Sequence, residues 1–373
     1  YEAAANQGHV GAHYFLARLY DAGRGTAQNH TLAVRYYRLP AEKLYLDANW
    51  RLGVLARDGL GMTRNVQEME RLFLIASRQG DVRAQRALGK AYRNGKSLEQ
   101  NYEKAITFLN LAIKQQDRDA QFVLGQMRML GEGGEVNLES AVLNFREAAN
   151  NGHMLAQFTL AEMLHRGNLI KQDIKEASYF YEQAALQGHM LSQYRTAMFY
   201  EKGQAGIQDR ARAAKFYELS AKQGHIPSQY NLALLLENGL GVPTDMSKAA
   251  FWYQKASDRG DVNAQYALGM MYEAGRGVSK SHEKAASLYL AAAENGHIES
   301  QVNLGVVFVK GKSSVQNYIQ AHMWFNIAAS RGNRAARDYR DHIAKKMVPQ
   351  DISTAQQLAQ SCVLQNYIGC SQL

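Results

Sequence analysis

Apolar residues recur along this chain at helical spacing, not strand spacing. In the stretch AQYALG, Ala264 to Gly269, small residues stand at Ala264 and Gly269 and large ones at Tyr266 and Leu268. That spacing predicts a helix, called A below, with one close-packing face and one apolar stripe. A second helix, B, is marked by Ala249, Tyr253 and Ala256, and again by Ala177, Tyr181 and Ala184. Steps of four and then three residues place each trio on one helical face. No sustained alternation of β-branched residues interrupts this pattern, so the chain reads as helices and turns.

The pattern is periodic. Stepping by 36 from Gly8 gives Leu44, Gly80, Gln116, Gly152, Gly188, Gly224, Gly260, Gly296 and Gly332. Five of the eleven histidines directly follow this position: His9, His153, His189, His225 and His297. Fifteen residues into each unit glycine returns without exception, from Gly23 to Gly311, and no insertion or deletion breaks the register. The glycine after helix B suits a left-handed cap, and the Asp or His beyond it suits the opening of the next helix A. Repetition also argues against a catalytic role for any one Gly-His pair, because a turn is needed in every unit and a catalytic group once.

Gly260 to His297 carries the Ala-Gln-aromatic-x-Leu-Gly phrase, a GxG turn and Ala-x3-Tyr-x2-Ala in register. It resembles the Sel1-like repeat, a relative of the tetratricopeptide repeat. The resemblance implies an all-α, right-handed α-solenoid of antiparallel helix pairs. The expected layout is the end of a preceding repeat helix at 1–7, nine repeats of 36 residues at 8–331, a polar capping helix at 332–348, and a C-terminal helix with a Cys-containing tail at 349–373. Tyr45, Asn49 and Met69 depart from the pattern in the unit around Leu44, and the unit around Gln116 is also weak. Arg337, Arg340 and Asp341 replace the inner Gln, Leu and Gly, as an end cap requires.

Composition agrees: 46% hydrophobic residues, four prolines and 31 glycines describe a helical chain with ample core material. No apolar run approaches the roughly 20 residues that span a bilayer. The opening YEAAANQGH lacks a methionine and reads as a helix end, so an upstream segment is expected to be missing. Cys362 and Cys370 are the two cysteines. Their spacing permits a disulfide and hence an oxidising, extracytoplasmic compartment, periplasmic or secreted; two free cytosolic thiols remain the alternative.

Candidate chemistry is sparse. The GRG runs at Gly23–Gly25 and Gly275–Gly277 follow helices and lack the rest of a nucleotide fingerprint. No HExxH, clustered Cys/His set or GxSxG occurs, so no catalytic residue, metal site, cofactor or small-molecule substrate is expected. His153 and His165 read as a turn residue and an exposed one, and the tyrosines as core. Disulfide-rich relatives of the repeat family are linked to cell-wall-related ligands, but their signature, one disulfide per repeat, is missing.

What remains is the surface. If A helices line the concave side, as the resemblance implies, the stripe opposite the core contains Phe15, Arg18, Arg51, Val54, Arg83, Lys90, Val123, Leu130, Leu155, Arg166, Arg195, Met198, Lys202, Leu234, Met270, Val306 and Lys310. Arginine mixed with apolar side chains is an interface composition. The net charge of +9 is concentrated at the two ends. Arg331, Arg334, Arg337 and Arg340, followed by Lys345 and Lys346, form a basic end patch able to meet an acidic partner or an anionic lipid surface. Nucleic acid is not expected, since no reader module accompanies the charge. The sequence therefore predicts a non-catalytic scaffold for protein partners, including eukaryotic host proteins, and by resemblance a bacterial factor in host-cell entry or trafficking. The alternatives are a periplasmic enzyme or cell-wall-ligand binder, and a peripheral binder of anionic, phosphoinositide-like lipid.

Overall fold

The structure, a computed structural model, describes residues 1–204, 206, 208–311 and 316–370. Every regular element among these residues is helical, and the chain forms two compact units, Tyr1–Ala184 and Ala185–Leu373. The first unit contains α1 (Glu2–Asn6), α2 (Val10–Ala22), α3 (His30–Glu42), α4 (Leu46–Asp58), α5 (Val66–Arg78), α6 (Val82–Asn94), α7 (Tyr102–Ile113), α8 (Arg118–Leu130), α9 (Leu138–Asn150), α10 (Met154–Arg166) and most of α11 (Ile174–Leu186). The second contains α12 (Met190–Lys202), α13 (Arg210–Lys222), α14 (Ile226–Asn238), α15 (Met246–Ser257), α16 (Val262–Ala274), α17 (His282–Glu294), α18 (Ile298–Lys310), α19 (Tyr318–Ser330), α20 (Arg334–Ala344) and α21 (Pro349–Leu364). Even-numbered helices from α2 to α18 are A helices and the odd-numbered ones that follow are B. Within the first unit successive helices from α1 to α10 pack on one another in chain order, and within the second those from α12 to α20 do so, as an α-solenoid of helix pairs requires.

Both glycine series are left-handed. The first follows helix B with φ of 78 to 96°, and the second caps helix A with φ of 62 to 73°. The two departures, Leu44 and Gln116, hold the same backbone at φ 60° and 61° despite their side chains. Tertiary packing thus imposes on them a conformation that costs an L-residue about 1–2 kcal/mol.

The repeated histidines and aspartates open the A helices. His9 Nδ1 accepts from the Ala12 N–H at 3.2 Å, and His153 does the same from Ala156 at 3.0 Å. Asp81, Asp117 and Asp261 cap α6, α8 and α16 in the same way. His225 instead places Nδ1 2.9 Å from the Ser228 Oγ. These imidazoles also seal one repeat to the next. His153 lies on Phe122, His225 on Tyr194 and His297 on Tyr266, with ring centroids 4.5, 4.6 and 4.7 Å apart.

Close approach within a pair is set by the small residue of helix A. A Cβ at Gly269 would sit 2.7 Å from the Tyr289 ring, and one at Gly53 would sit 2.5 Å from Phe73. Gln157, Gln193, Gln229 and Gln301 each donate to the carbonyl eight residues back, at 3.1 to 3.2 Å, tying the start of helix A to the end of the previous B. Asn49, a departure from the sequence pattern, makes the same bond to the Ala41 carbonyl at 3.2 Å.

The final elements differ. α20 packs on α19 where the next A helix belongs, but α21 also packs on α19 and does not pair with α20. Arg337 is exposed where an inner repeat has a buried Gln. Cys362 and Cys370 are joined in a disulfide that is buried beside Trp324, Met323 and Ile327. The last three residues of the predicted Cys-containing tail, and 312–315 within the ninth repeat, lie outside the described residues.

Candidate functional site

Four residues of the predicted stripe converge in the first unit. Phe15 and Arg18 on α2, Arg51 on α4 and Arg83 on α6 line one concavity of about 530 Å³, together with Tyr1, Asp21, Arg24, Tyr37 and Asp47. Its floor is an alternating set of charges. Arg51 binds the buried Asp21 with Nη2 at 2.5 Å, and Tyr37 Oη donates to the same carboxylate at 3.3 Å. Arg83 bridges Asp47 at 2.9 Å and Asp81 at 2.6 Å, while Tyr14 Oη donates to Asp47 at 2.7 Å. Arg83 also lies over the Trp50 ring, 5.2 Å from its centroid. Burial opposes ionisation of Asp47, but the bonds from Tyr14 and Arg83 outweigh it and hold the carboxyl below its ordinary range.

The rim is less committed. Arg18 lies over the Tyr14 ring at 5.7 Å, and Arg24 is exposed in the turn after α2. Among the described residues, neither has a carboxylate within ion-pairing distance. Phe15 is 45% exposed and stacks on Tyr1 with centroids 5.4 Å apart. The sequence reading missed Asp21, Asp47, Arg24 and Tyr37: the two carboxylates meet their arginines across 30 and 36 residues, Tyr37 meets Asp21 across sixteen and from a different helix, and Arg24 lies in a turn outside the stripe.

The rest of the stripe does not join this concavity. Val54 and Val123 are buried in the core, contrary to the open placement expected for them, because side chains from successive helices of the array close over their positions. Lys90 is exposed on α6, Leu130 is exposed at the end of α8, and Leu155 is exposed on α10. Arg166 pairs with Glu162 at 3.0 Å. In the second unit Arg195, Leu234 and Val306 are half-buried, Met198 and Met270 pack against core clusters, and Lys202 and Lys310 are exposed.

The basic end patch is also redistributed. Arg331 belongs to the end of α19, not to α20; it donates to the Gly296 carbonyl and covers the Tyr367 ring at 5.6 Å. Arg340 donates to Asn326 at 3.0 Å and to Asp341 at 2.9 Å. Arg334, Arg337, Lys345 and Lys346 remain exposed. Among the described residues, no group of three or more His, Cys, Asp or Glu side chains is placed to hold a metal ion, and no helix is long and apolar enough to cross a membrane.

The Sel1 repeat model matches nine successive segments: 10–43, 46–81, 82–117, 118–153, 155–189, 191–225, 226–261, 262–297 and 298–333. The chain belongs to the Sel1 repeat family. Proteins of Sel1 repeats are generally protein-interaction scaffolds and are typically non-catalytic. Two solved Sel1 proteins are similar along most of their length. One is a protective antigen present in uropathogenic Escherichia coli strains, with an SLR fold: 28% identity, TM-score 0.59, 99% of this chain and 88% of that one. The other is a Sel1 repeat protein from Oxalobacter formigenes: 27% identity, TM-score 0.53, 83% of this chain and 89% of that one. No curated protein matches the chain.

Proposed function

We propose that this Sel1 repeat chain is a non-catalytic scaffold that holds partner proteins against the exposed sides of its A helices. The observation that carries the reading is the α2–α4–α6 concavity, where arginines and an exposed aromatic ring remain outside the core in a family of interaction scaffolds. Aromatic and arginine side chains around a concave site are typical anchors of protein interfaces. The finer part of the proposal is that the chain is an exported bacterial factor acting on host cells, in entry or trafficking. Its support is the likeness to an antigen of uropathogenic strains and the Cys362–Cys370 pair. Engagement of Arg331 and Arg340 within the fold weakens the lipid-binding alternative, because two of the six cations counted for it are already in use.

The test is partner capture from host-cell and periplasmic extracts with three proteins: wild type, an A-face variant carrying Phe15→Asp, Lys90→Glu and Leu155→Asp, all exposed on A helices, and a B-face variant carrying Leu143→Asp. The expected result is a partner retained by wild type and the B-face variant and lost from the A-face variant, with helicity unchanged in all three. Equal capture by all three overturns the A-face assignment.

A further inference from the structure

We propose that the concavity between α2, α4 and α6 is a docking pocket for an acidic peptide segment of a protein partner, whose carboxylates are held by Arg18 and Arg24. This rests on the A-helix docking reading above and names the partner chemistry at one place on that face.

Charge balance and the prior engagement of the floor residues favour an anionic occupant. Four guanidiniums line the pocket against two carboxylates, and both carboxylates are already consumed on the floor, Asp21 by Arg51 and Asp47 by Arg83. Asp81, lying beneath Arg83, adds one more negative charge and still leaves a positive excess. That excess sits at the rim, on Arg18 and Arg24, inside a concavity whose size is typical of ligand sites. A guanidinium is built to grip a carboxylate through two parallel N–H bonds, and low-dielectric walls strengthen the attraction.

Two features favour a peptide over a denser anion. The floor carboxylates would repel a closely packed polyphosphate more than single negative charges spaced along a chain. The exposed Phe15 ring, stacked on Tyr1, offers apolar area beside the charge that a peptide side chain can cover. The fixed ion pairs of the floor also hold Arg51 and Arg83 in place, so part of the pocket is ordered before any ligand arrives.

Fluorescein-labelled hexaglutamate is the probe, read by fluorescence anisotropy at two salt concentrations. Wild type is expected to bind saturably and more weakly as salt rises. Arg18→Glu with Arg24→Glu should weaken binding at least tenfold, and the milder Arg18→Gln with Arg24→Gln at least threefold, with circular dichroism unchanged. Arg334→Glu with Arg337→Glu should change affinity less than twofold. Three outcomes overturn the proposal: no saturable binding to wild type, equal loss in the pocket and end-patch variants, or displacement of the probe by a single-stranded oligonucleotide of matched charge more readily than by unlabelled hexaglutamate. If the probe fails while partner capture still depends on Phe15, Lys90 and Leu155, the acidic occupant alone is refuted; if capture is indifferent to the A face, the broader reading falls with it.

Discussion

At the scale of single residues, the repeats explain one another. Tyr217, Tyr253 and Tyr289 of the B helices donate to Glu201, Glu237 and Glu273 sixteen residues earlier, at 2.6, 2.9 and 3.0 Å, and Tyr37 does so to Asp21. Where the B-helix residue lacks a hydroxyl, as at Phe73, Leu109, Phe145 and Phe325, the A-helix position carries Arg57, Arg93, Met129 or Val309 instead. In these four modules the acid is present where a buried hydroxyl needs an acceptor, whereas Tyr181 has His165 at that position and donates to Glu162 instead; burial keeps Tyr217, Tyr253 and Tyr289 protonated well above the ordinary range. A double-mutant cycle on Tyr253→Phe and Glu237→Met, the pair used at Phe145 and Met129, should give a coupling of about 1 kcal/mol in denaturant unfolding. The backbone makes a second residue-scale test. Leu44→Gly and Gln116→Gly should each stabilise the first unit by roughly 0.5–1 kcal/mol, since glycine relieves a positive φ at some cost in unfolded-chain entropy. Gly269→Ala should do the opposite by about 1–3 kcal/mol, because the Tyr289 ring occupies the space its methyl needs.

Among elements, the histidine caps couple helix starts to acidity. Burial holds His153, His189, His225 and His297 below the ordinary imidazole range. A depressed folded-state pKa means the unfolded chain takes up protons first, so the contribution is complete above about pH 6.5 and is lost as pH falls below it. Thermal unfolding should therefore move to lower temperature between pH 7.5 and 5.5. Replacing the four histidines by Asp, the residue already capping α6, α8 and α16, should remove the histidine share of that slope. Much of this level was legible in the sequence: fixed glycines, an A phrase and a B phrase determine where helices start and stop. Lateral packing was not. Val54 and Val123 look exposed on a single helical wheel, yet both are buried in a cluster drawn from several successive helices, and no one-helix pattern contains those neighbours. The Tyr–acid rule was written in the sequence and was overlooked because the two positions belong to different helices.

For the whole molecule, stability in a repeat array is mainly a sum of nearest-neighbour terms, so the ends fray first. At the C-terminal side α21 turns back on α19, and the Cys362–Cys370 disulfide folds the segment after α21 into the same core cluster as Trp324. Closing so short a loop is worth about 2–3 kcal/mol in a chain-entropy account. Cys362→Ala with Cys370→Ala should accelerate hydrogen exchange in α19 and then α18, while α14 and α16 change little; uniform acceleration throughout the second unit would show that the clasp is not local. The candidate site was only half legible for a related reason. Phe15, Arg18, Arg51 and Arg83 stood out as arginines and an aromatic on one stripe, whereas the carboxylates that tether two of them were invisible without the fold.

The two kinds of ion and hydrogen-bond pair differ in what gene duplication can carry. A Tyr–Glu pair lies wholly inside one 36-residue module, so copying or deleting that module moves both partners together and leaves no orphan. Arg51 with Asp21 and Arg83 with Asp47 each straddle a junction. Unequal crossing-over can therefore lengthen or shorten this protein with each Tyr–Glu pair intact, but a crossover within the first three modules separates the arginines from their tethers and erases the pocket.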